Sequence, residues 1–529
     1  MVARYPQTLP AIFDRALAKY ADRTALADGD RSITFRTLDR RSTRLATGLV
    51  DRGVEPGDHV ALVHGNGVTY PVLDHGIART GATRVPLNTR HTAAELGDLL
   101  IDAGARTVVC DASRVDKLAS AASNADPLER VIVAGATTET TLPDGDAEWL
   151  RFEGVLADDA DATSLPTPAP EDVAALFYTG GTTGEPKGVR YSHRCLVANL
   201  QAVATEFGFG DDVGLLTPPL SHSAGTFCDA ALLAGGQVHL RAGFDPEALL
   251  STIERESVTW TFLVPTMLYR LLDADLDLAP LARLDRIVYG AAPIRTDRLR
   301  QAIDRVGPIF HQFYGQTEVP NLITSFPPAE HARAHAADDV ERLASAGTAC
   351  LRSTVEIRDR ATDERCAPDE VGEVVVAAPY TFDGYHERPD ETEAVLRDGW
   401  VYTGDVGLLD EDGYLTLVDR DSGVIVTGGM NVYSQTVERA LRDHPAIEDA
   451  VVVGVPDDEW GEAVHAVVVS GEGDVSLEGA REFLDDRLAS YKQPKSLTVV
   501  DGLPTTRLGK IDRRAVRERF WDEDERSIH

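Results

Sequence analysis

The sequence predicts an α/β fold with a large N-terminal domain of βα-layered subdomains, a small β subdomain and a separate C-terminal α+β domain. Short apolar strands alternate with amphipathic helices through the N-terminal half, a pattern typical of a largely parallel sheet. From Gly347 to Val418 short strands are separated by turn signals, including Asp398-Gly399 and Asp412-Gly413. This spacing indicates the β subdomain.

The chain of 529 residues is too long for one hydrophobic core. The stretch Asp419-Arg-Asp-Ser-Gly423 is short, polar and ends in a glycine, as expected of a domain boundary. We therefore predict an N-terminal domain over 1–419, a hinge over 420–423 and a C-terminal domain over 424–529.

The individual elements follow from the periodicity of apolar residues. Ser192 can cap the N-terminus of a helix that continues to about Phe207. Residues 136–170 are acidic and proline-rich, so we expect an exposed crossing segment there. The other predicted helices are 11–19, 35–49, 66–79, 93–103, 437–443 and 477–490, and the predicted strands are 59–63, 107–110, 130–133, 173–177, 258–264, 286–289, 309–313, 450–454 and 463–469.

The composition excludes several classes of function. Lys and Arg number 52 against 86 Asp and Glu, a net charge of −34, which argues against a nucleic-acid polymer or an anionic membrane as partner. The sequence shows no signal peptide and no apolar run long enough to span a membrane, so a cytoplasmic location is expected. The five cysteines lack metal or redox spacing, which predicts reduced structural thiols.

One stretch, Tyr178-Thr-Gly-Gly-Thr-Thr-Gly-Glu-Pro-Lys-Gly-Val189, follows the predicted strand 173–177. Glycine-rich backbone can present successive N–H groups to an anion, and Lys187 adds a positive charge. The stretch is not a Walker A loop, because Pro186 precedes the lysine and Gly188 follows it. By itself the pattern fits either a polyphosphate clamp or a flexible Gly/Thr hairpin.

Further motifs follow along the chain, and together with this stretch they resemble, in order, those of the adenylate-forming (AMP-binding) superfamily, in its acyl-CoA synthetase or acid–CoA ligase branch. The resemblance covers essentially the full length. The motifs are Tyr178 to Gly188, Leu220-Ser-His-Ser-Ala-Gly225, Gly290-Ala-Ala-Pro293, Tyr314-Gly-Gln-Thr-Glu318, Tyr402-Thr-Gly-Asp405, Arg420 with Gly428-Gly-Met-Asn-Val-Tyr433, and Pro504-Thr-Thr-Arg-Leu-Gly-Lys510.

The resemblance implies an enzyme that uses ATP, Mg²⁺ and coenzyme A. A carboxylate would attack the α-phosphate of ATP to give acyl-AMP, and the CoA thiol would then displace AMP, with the C-terminal domain rotating between the two steps. The implied catalytic residues are Lys510, His222, Thr183 and Glu318, of which Glu318 would hold Mg²⁺. The implied ATP and AMP contacts are Thr179, Gly180, Gly181, Thr182, Thr183, Gly184, Lys187, Gly290, Ala291, Ala292, Tyr314, Gly315, Gln316, Thr317, Asp405, Arg420 and Lys510.

The remaining implied sites concern the two other substrates. Gly428 and Gly429 would line the path of CoA. The candidate acid pocket mixes apolar and aromatic residues and carries no fixed cation, which predicts a hydrophobic monocarboxylic acid. Its candidate residues are His222, Phe227, Tyr289, Gly290, Val319 and Asn321.

The chain departs from the family pattern at the hinge, where Ser422 stands in place of the usual Asp or Lys and is followed by Gly423. This departure keeps open an enzyme with only one efficient half-reaction: adenylation for a separate carrier protein, or thioesterification of a supplied acyl-adenylate. A non-catalytic nucleotide sensor is a third hypothesis. The chain ends soon after Lys510, which favours soluble CoA over an attached carrier domain, and a homodimer is left open.

Overall fold

The computed structural model describes residues 6–29, 31–122, 128–158, 160, 162–179, 186–292, 294–420, 424–427, 430–457, 461–471, 473–485, 487–488, 490–505 and 511–520. These residues form two compact units. The larger contains the described residues up to Thr179 together with Pro186–Val355 and Val376–Val401, and the smaller contains Glu356–Val375 and the described residues from Tyr402 onward. Within the described part of the chain, no helix combines the length and the apolar character needed to cross a membrane.

The elements before the glycine-rich stretch alternate as predicted, and their limits are as follows. The helices are α1 (Leu9–Lys19), α2 (Phe35–Val50), α3 (Thr69–Arg79), α4 (Ala93–Asp102), α5 (Val115–Ala122) and α6 (Phe152–Val155). The strands are β1 (Thr24–Asp28), β2 (Arg31–Thr34), β3 (His59–Val63), β4 (Thr83–Pro86), β5 (Thr107–Asp111), β6 (Arg130–Ala134), β7 (Glu148–Arg151) and β8 (Val173–Tyr178).

The middle of the chain continues the alternation. Its helices are α7 (His193–Glu206), α8 (Ser223–Ala234), α9 (Pro246–Arg255), α10 (Pro265–Asp273), α11 (Thr296–Val306), α12 (Pro328–Ala336) and α13 (Val340–Ala344). Its strands are β9 (Gly188–Ser192), β10 (Val213–Leu216), β11 (Gln237–Leu240), β12 (Trp260–Leu263), β13 (Arg286–Gly290), β14 (Phe310–Tyr314), β15 (Thr324–Phe326) and β16 (Thr348–Ala349).

The last part of the chain is richer in strands. Its strands are β17 (Thr354–Arg358), β18 (Gly372–Ala377), β19 (Leu396–Arg397), β20 (Trp400–Leu409), β21 (Leu415–Arg420), β22 (Val424–Thr427), β23 (Met430–Tyr433), β24 (Ile447–Asp457), β25 (Gly461–Ser470) and β26 (Ser496–Val500). Its helices are α14 (Pro389–Val395), α15 (Ser434–Arg442), α16 (Leu477–Leu484) and α17 (Arg513–Arg517).

A seven-stranded sheet has the order β7-β6-β5-β3-β4-β8-β9. Its strands run parallel, apart from the antiparallel hairpin of β8 and β9. On one face a core cluster includes Val108, Val131 and Leu176 together with Leu96 and Leu118 of α4 and α5. A Thr92–Glu95 capping box starts α4, since each residue's side chain accepts the other's backbone N–H.

A nine-stranded sheet has the order β16-β15-β14-β13-β12-β10-β11-β1-β2. Its central strands are parallel, and β2, β15 and β16 at the two ends are antiparallel to their neighbours. An aromatic core packs on it, in which Phe227 lies 5.2 Å from Phe207, 5.1 Å from Phe262 and 5.2 Å from Phe313 between ring centroids. The parallel core places the ends of β10, β12, β13 and β14 at one edge.

A five-stranded sheet has the order β17-β18-β20-β19, with β21 paired to β20. The C-terminal sheet has the order β23-β22-β25-β24, with β26 parallel to β25. Helices α15 and α16 cover it with a core that includes Val437, Leu441, Val452, Val468 and Leu484. The predicted fold class, a large α/β N-terminal part, a small β region and a C-terminal α+β part, is confirmed.

Most helix and strand predictions agree with the structure, and Ser192 caps α7 by accepting the N–H of Cys195. The segment 136–170 contains a strand, β7, and the short helix α6, so it is more ordered than expected. Helix α16 ends at Leu484, short of the predicted 490.

The predicted helix 66–79 begins later than expected, at Thr69. The side chain of Asn66 instead accepts the N–H of Leu220 at 3.0 Å and donates to the carbonyl of Pro218 at 2.8 Å. These contacts, made with residues far away in the sequence, fix Asn66 outside the helix.

Candidate active site

Two predicted ATP-binding turns leave the same edge of the nine-stranded sheet. Strands β13 and β14 are parallel neighbours, with Gly290 opposite Phe313 in the register. The turn 290–292 therefore leaves the sheet beside the turn 314–318. Ligands of open α/β sheets bind beyond the carboxyl ends of the strands, so this edge is where a nucleotide is expected.

Close backbone packing shapes both turns. A Cβ atom on Gly290 would lie 2.5 Å from the carbonyl oxygen of Phe313, and one on Gly315 would lie 2.6 Å from the carbonyl carbon of Asn321. Ala291 and Asn321 adopt positive φ values of 64° and 63°. Any larger side chain at either glycine would push the turns apart.

The Gly315→Ala variant is expected to bind ATP roughly tenfold more weakly, because an overpacked contact of this kind costs about 1–3 kcal/mol. The readout is the dissociation constant of ATP by isothermal titration calorimetry, alongside the melting temperature. Gly210→Ala is the matched control, since a Cβ at Gly210 meets no atom within 4 Å. Unchanged ATP affinity in Gly315→Ala would contradict the placement of this turn at the nucleotide.

The glycine-rich stretch is closed at its base by the β8–β9 hairpin. The N–H of Thr179 donates to the carbonyl of Lys187 at 3.0 Å, and the N–H of Lys187 donates to the Thr179 hydroxyl at 3.2 Å. Tyr178 pairs with Gly188 in the register. The structure shows that the two ends of the stretch form the base of a hairpin that carries Lys187. The role of the stretch in binding phosphate stays a prediction.

Tyr385 connects Lys187 with Glu318. Its hydroxyl donates to Glu318 Oε1 at 2.6 Å, and the ammonium of Lys187 lies 5.1 Å from the centroid of its ring. Burial and the neighbouring carboxylate of Glu318 raise the pKa of Tyr385, so the hydroxyl stays protonated and is the donor. Tyr385 is not among the residues predicted from the sequence.

Lys187 also begins a network of charged side chains that does not include Glu318. Lys187 forms an ion pair with Glu391, which lies 3.7 Å from Arg388. Arg388 in turn donates to Asp102 at 2.8 Å, and Asp102 accepts the Tyr178 hydroxyl at 2.7 Å. Lys187 and Glu391 are 37% and 43% exposed, and exposed pairs of this kind contribute about 0–1 kcal/mol. A phosphate group could therefore displace Glu391 from Lys187 at small cost.

His222 lies at the N-terminus of α8, where its Nε2 is 3.3 Å from the side-chain nitrogen of the buried Asn88. It borders a cavity of about 40 Å³ that is also lined by Asn199, Asp74 and Asp229. Burial raises the pKa of Asp74, although its partner Arg84 opposes the shift. A cavity of this volume holds only a few water molecules, so it does not by itself identify the acid.

The other candidate acid-pocket residues lie apart from that cavity. Phe227 belongs to the aromatic core, and Tyr289 is 1% exposed. The Tyr289 hydroxyl donates to Gln312 at 3.1 Å and lies 2.9 Å from His331 Nε2. The structure thus holds Phe227 and Tyr289 in the core beneath the sheet edge. The candidates that it brings to the edge itself are Gly290, at the end of β13, and the buried Val319 and Asn321, behind the turn 314–318.

In the smaller unit, Asp405 of β20 stands opposite Arg420 of β21 in the antiparallel register. Asp405 is 3% exposed, and its N–H donates to the Thr403 hydroxyl at 3.1 Å. The two predicted ribose contacts therefore occupy paired positions on neighbouring strands of one sheet.

Several predicted residues lie outside the part of the chain that the structure describes. Strands β22 and β23 form a hairpin with Thr427 opposite Met430, and the predicted CoA-binding glycines fall between them in the sequence. The predicted site residues outside the described ranges are Gly180, Gly181, Thr182, Thr183, Gly184, Ser422, Gly428, Gly429 and Lys510.

The residues present fit a magnesium ion bound together with a nucleotide. Among the described residues, no group of three or more His, Cys, Asp or Glu side chains is arranged to hold a metal. Glu318 would contribute one carboxylate, and the Tyr385 hydroxyl already donates to one of its two oxygens. Mg²⁺ in nucleotide sites is commonly bound by one or two carboxylates, with phosphates and water completing its shell.

Comparison with known proteins agrees with this geometry. Residues 13–386 match the AMP-binding enzyme family, and residues 436–510 match the AMP-binding enzyme C-terminal domain. The chain is 35% identical to the medium/long-chain-fatty-acid–CoA ligase FadD8 of Mycobacterium tuberculosis, over 97% of this chain and 90% of the relative. It is 38% identical to a feruloyl-CoA synthase of an Amycolatopsis species, over 94% of this chain and 96% of the relative.

Among solved structures, the amide bond synthetase McbA of Marinactinospora thermotolerans superposes with a TM-score of 0.84 at 31% identity, covering 98% of this chain and 100% of that chain. The fold, the two turns at the sheet edge and these relatives define an AMP-forming ligase of the acyl-CoA synthetase class. The chain belongs to the AMP-binding enzyme family.

Proposed function

We propose that this enzyme is an acyl-CoA ligase that activates a hydrophobic monocarboxylic acid with ATP and transfers the acyl group to coenzyme A. The observation that carries the proposal is the pairing of β13 with β14, which sets the turn 290–292 beside Tyr314 to Glu318. In the first step, the acid carboxylate attacks the α-phosphorus and pyrophosphate leaves. In the second step, the CoA thiol loses its proton, attacks the acyl carbon and displaces AMP.

The roles proposed for the residues follow from the charge that develops in each step. Attack on the α-phosphorus builds negative charge on its oxygens, and fixed cations there lower the barrier. Lys510 would supply that charge, while Lys187 and the stretch 179–184 would hold the β- and γ-phosphates. Mg²⁺, held by Glu318, would neutralise phosphate charge.

The nucleoside would be held by groups that do not react. Tyr314 would stack on the adenine ring beside the backbone of Gly290 to Ala292, with Gly315, Gln316 and Thr317 completing the turn. Asp405 would accept the ribose hydroxyls beside Arg420, and His222 would lie where the acyl group meets the α-phosphate. These contacts would keep acyl-AMP bound until CoA arrives.

The preference for a hydrophobic acid is supported by the names of two relatives, a medium/long-chain-fatty-acid–CoA ligase and a feruloyl-CoA synthase. The test compares AMP release with octanoate, with the dicarboxylate suberate and with 8-aminooctanoate, which share a chain length and differ in the distal group. We expect octanoate to be preferred by about tenfold or more, because burying an unpaired charge is costly. Equal or greater activity with either charged acid would contradict the proposed substrate class.

A second candidate, adenylation followed by transfer to another acceptor, is favoured by one observation. McbA, which this chain resembles over 98% of its length, is named an amide bond synthetase, so the fold serves acceptors other than a thiol. The hinge residues Ser422 and Gly423 also depart from the family pattern. Both candidate functions form the acyl-adenylate. They differ in the acceptor that attacks it and displaces AMP.

Gly429→Trp is expected to slow thioester formation from supplied acyl-AMP by about 100-fold, because a displaced reactant loses its alignment, and to affect adenylation much less. Both steps are followed separately, by acyl-CoA formation and by ATP–pyrophosphate exchange. Gly502→Trp is the matched control, since Gly502 is exposed and a Cβ placed there would meet no atom within 4 Å. An equal loss of adenylation in Gly429→Trp would contradict the CoA assignment.

A further inference from the structure

The segment 382–386 is held against the outer edge of the β8–β9 hairpin. Tyr385 forms an antiparallel bridge with Val189. The N–H of His386 donates to the carbonyl of Gly188 at 2.7 Å, and the N–H of Arg190 donates to the carbonyl of Gly384 at 2.9 Å. This segment thus acts as a short extra strand beside the residues that directly follow Lys187.

The same segment is fastened to the turn that carries Glu318. The N–H of Phe382 donates to the carbonyl of Glu318 at 2.9 Å, in addition to the bond from the Tyr385 hydroxyl to its carboxylate. Tyr385 is 6% exposed, and its N–H donates to the Thr392 hydroxyl at 2.9 Å. Both its backbone and its side chain are therefore fixed.

We propose that Tyr385 is a positioning residue that sets the spacing between Lys187 and Glu318 and so prepares the enzyme for the magnesium complex of ATP. The inference rests on the proposed function, in which Lys187 meets the terminal phosphates and Glu318 the metal. The ring faces the ammonium of Lys187, and the hydroxyl orients the carboxylate of Glu318. Lys187 directly precedes β9 of the seven-stranded sheet, and Glu318 follows β14 of the nine-stranded sheet. Tyr385 thereby connects the two sheets of the larger unit.

The hydroxyl and the ring of Tyr385 contact different partners, so the effects of removing them can be measured separately. The hydroxyl fixes one oxygen of Glu318 and defines the rotation of the carboxylate, which lowers the cost of ordering it around a cation. The ring attracts the Lys187 ammonium and limits the positions it can take. Loss of the hydroxyl should therefore weaken the binding of Mg²⁺, and loss of the ring should weaken the binding of ATP whether or not the metal is present.

The first experiment measures ATP binding by calorimetry at a series of Mg²⁺ concentrations. Magnesium is expected to increase the affinity for ATP, and the midpoint is the Mg²⁺ concentration that gives half of this increase. Tyr385→Phe is expected to raise the midpoint by about tenfold, since hydrogen bonds to charged groups are among the stronger ones. In a Glu318→Ala background the same substitution should have no further effect. An unchanged midpoint in Tyr385→Phe, or an equal shift in both backgrounds, would overturn the proposal.

The second variant, Tyr385→Leu, removes the ring as well. It is expected to weaken ATP binding in EDTA relative to Tyr385→Phe, and this extra loss should vanish when Lys187 is replaced by Met. An extra loss that persists without Lys187 would overturn the part of the proposal that concerns the ring.

The matched control is Tyr380→Phe. The Tyr380 hydroxyl donates to the carbonyl of Leu322 at 2.9 Å, and Tyr380 is buried like Tyr385 and close to it in the sequence. Tyr380→Phe should lower the melting temperature without moving the Mg²⁺ midpoint. A matching shift of the midpoint in Tyr380→Phe would show that Tyr385 acts only through stability and would overturn its positioning role.

The outcome also separates this inference from the proposed function. If the wild-type enzyme binds ATP without any dependence on Mg²⁺, the inference is overturned. If it binds the magnesium complex but no acid of the panel gives AMP, the proposed function fails while the Tyr385 result stands.

Discussion

Lys510→Ala is expected to reduce acid-dependent adenylation by about 100- to 1,000-fold, the usual effect of removing one charged or donor group from a developing oxyanion. Thioester formation from supplied acyl-AMP should remain close to the wild-type rate. Only six of the 52 basic residues are lysines, and a lysine supplies the compact point charge that this proposed role requires.

The two half-reactions of Lys510→Ala are measured by ATP–pyrophosphate exchange and by acyl-CoA formation from synthetic acyl-AMP. Lys19→Ala is the control, because Lys19 is an exposed lysine in the last turn of α1 and should leave both rates unchanged. Equal losses in the two half-reactions of Lys510→Ala would contradict its assignment to the first step.

Glu318→Ala is the second substitution with a large expected effect. It removes the carboxylate proposed to hold Mg²⁺ and leaves the buried hydroxyl of Tyr385 without its acceptor. An unpaired buried polar group costs about 1–3 kcal/mol, so part of the damage is structural. We expect pyrophosphate exchange to fall by about 100-fold or more, with partial recovery at high Mg²⁺.

The loss of stability in Glu318→Ala can be separated from the loss of the metal ligand by adding Tyr385→Phe. The double variant should regain melting temperature, since it no longer contains an unpaired hydroxyl, and should not regain exchange activity. Glu247→Ala, which removes an exposed carboxylate from the first turn of α9, controls for the change in net charge. Full exchange activity in Glu318→Ala at low Mg²⁺ would contradict the metal role.

Local signals in the sequence predicted the sheet edge well. Apolar strands followed by small or polar residues marked the ends of β13 and β14, and parallel pairing brought these ends together. Ser192 marked the start of α7, because a hydroxyl there satisfies a free backbone N–H. These features depend on neighbours in the sequence, so a single chain is enough to find them.

The site residues that were not predicted from the sequence owe their positions to tertiary contacts. Tyr385 acquires its place from pairing with Val189 and from the turn at Glu318, and neither partner is near it in the sequence. Helix α14 had a usable signal, since Pro389 at its start is followed by Asp390 and Glu391. The hinge and the limits of the C-terminal domain stay predictions.

The acid pocket was harder to predict for a different reason. The pattern around Phe227 and Tyr289 identified large side chains near the sheet edge, but packing decides which of them face a substrate. Phe227 is enclosed by other rings, and the Tyr289 hydroxyl is engaged with Gln312 and His331. The hydrophobic character of the acid, inferred from composition, stays a prediction, and the shape of the pocket depends on packing that the sequence does not reveal.

The most direct test of the proposed ligase activity is the ratio of acyl-CoA formed to AMP released when the enzyme turns over octanoate, ATP, Mg²⁺ and CoA. Both products are measured in the same samples by liquid chromatography and mass spectrometry. We predict one acyl-CoA for each AMP, with neither product formed when the acid is omitted. Acid-dependent pyrophosphate release without acyl-CoA would contradict the proposed transfer to coenzyme A.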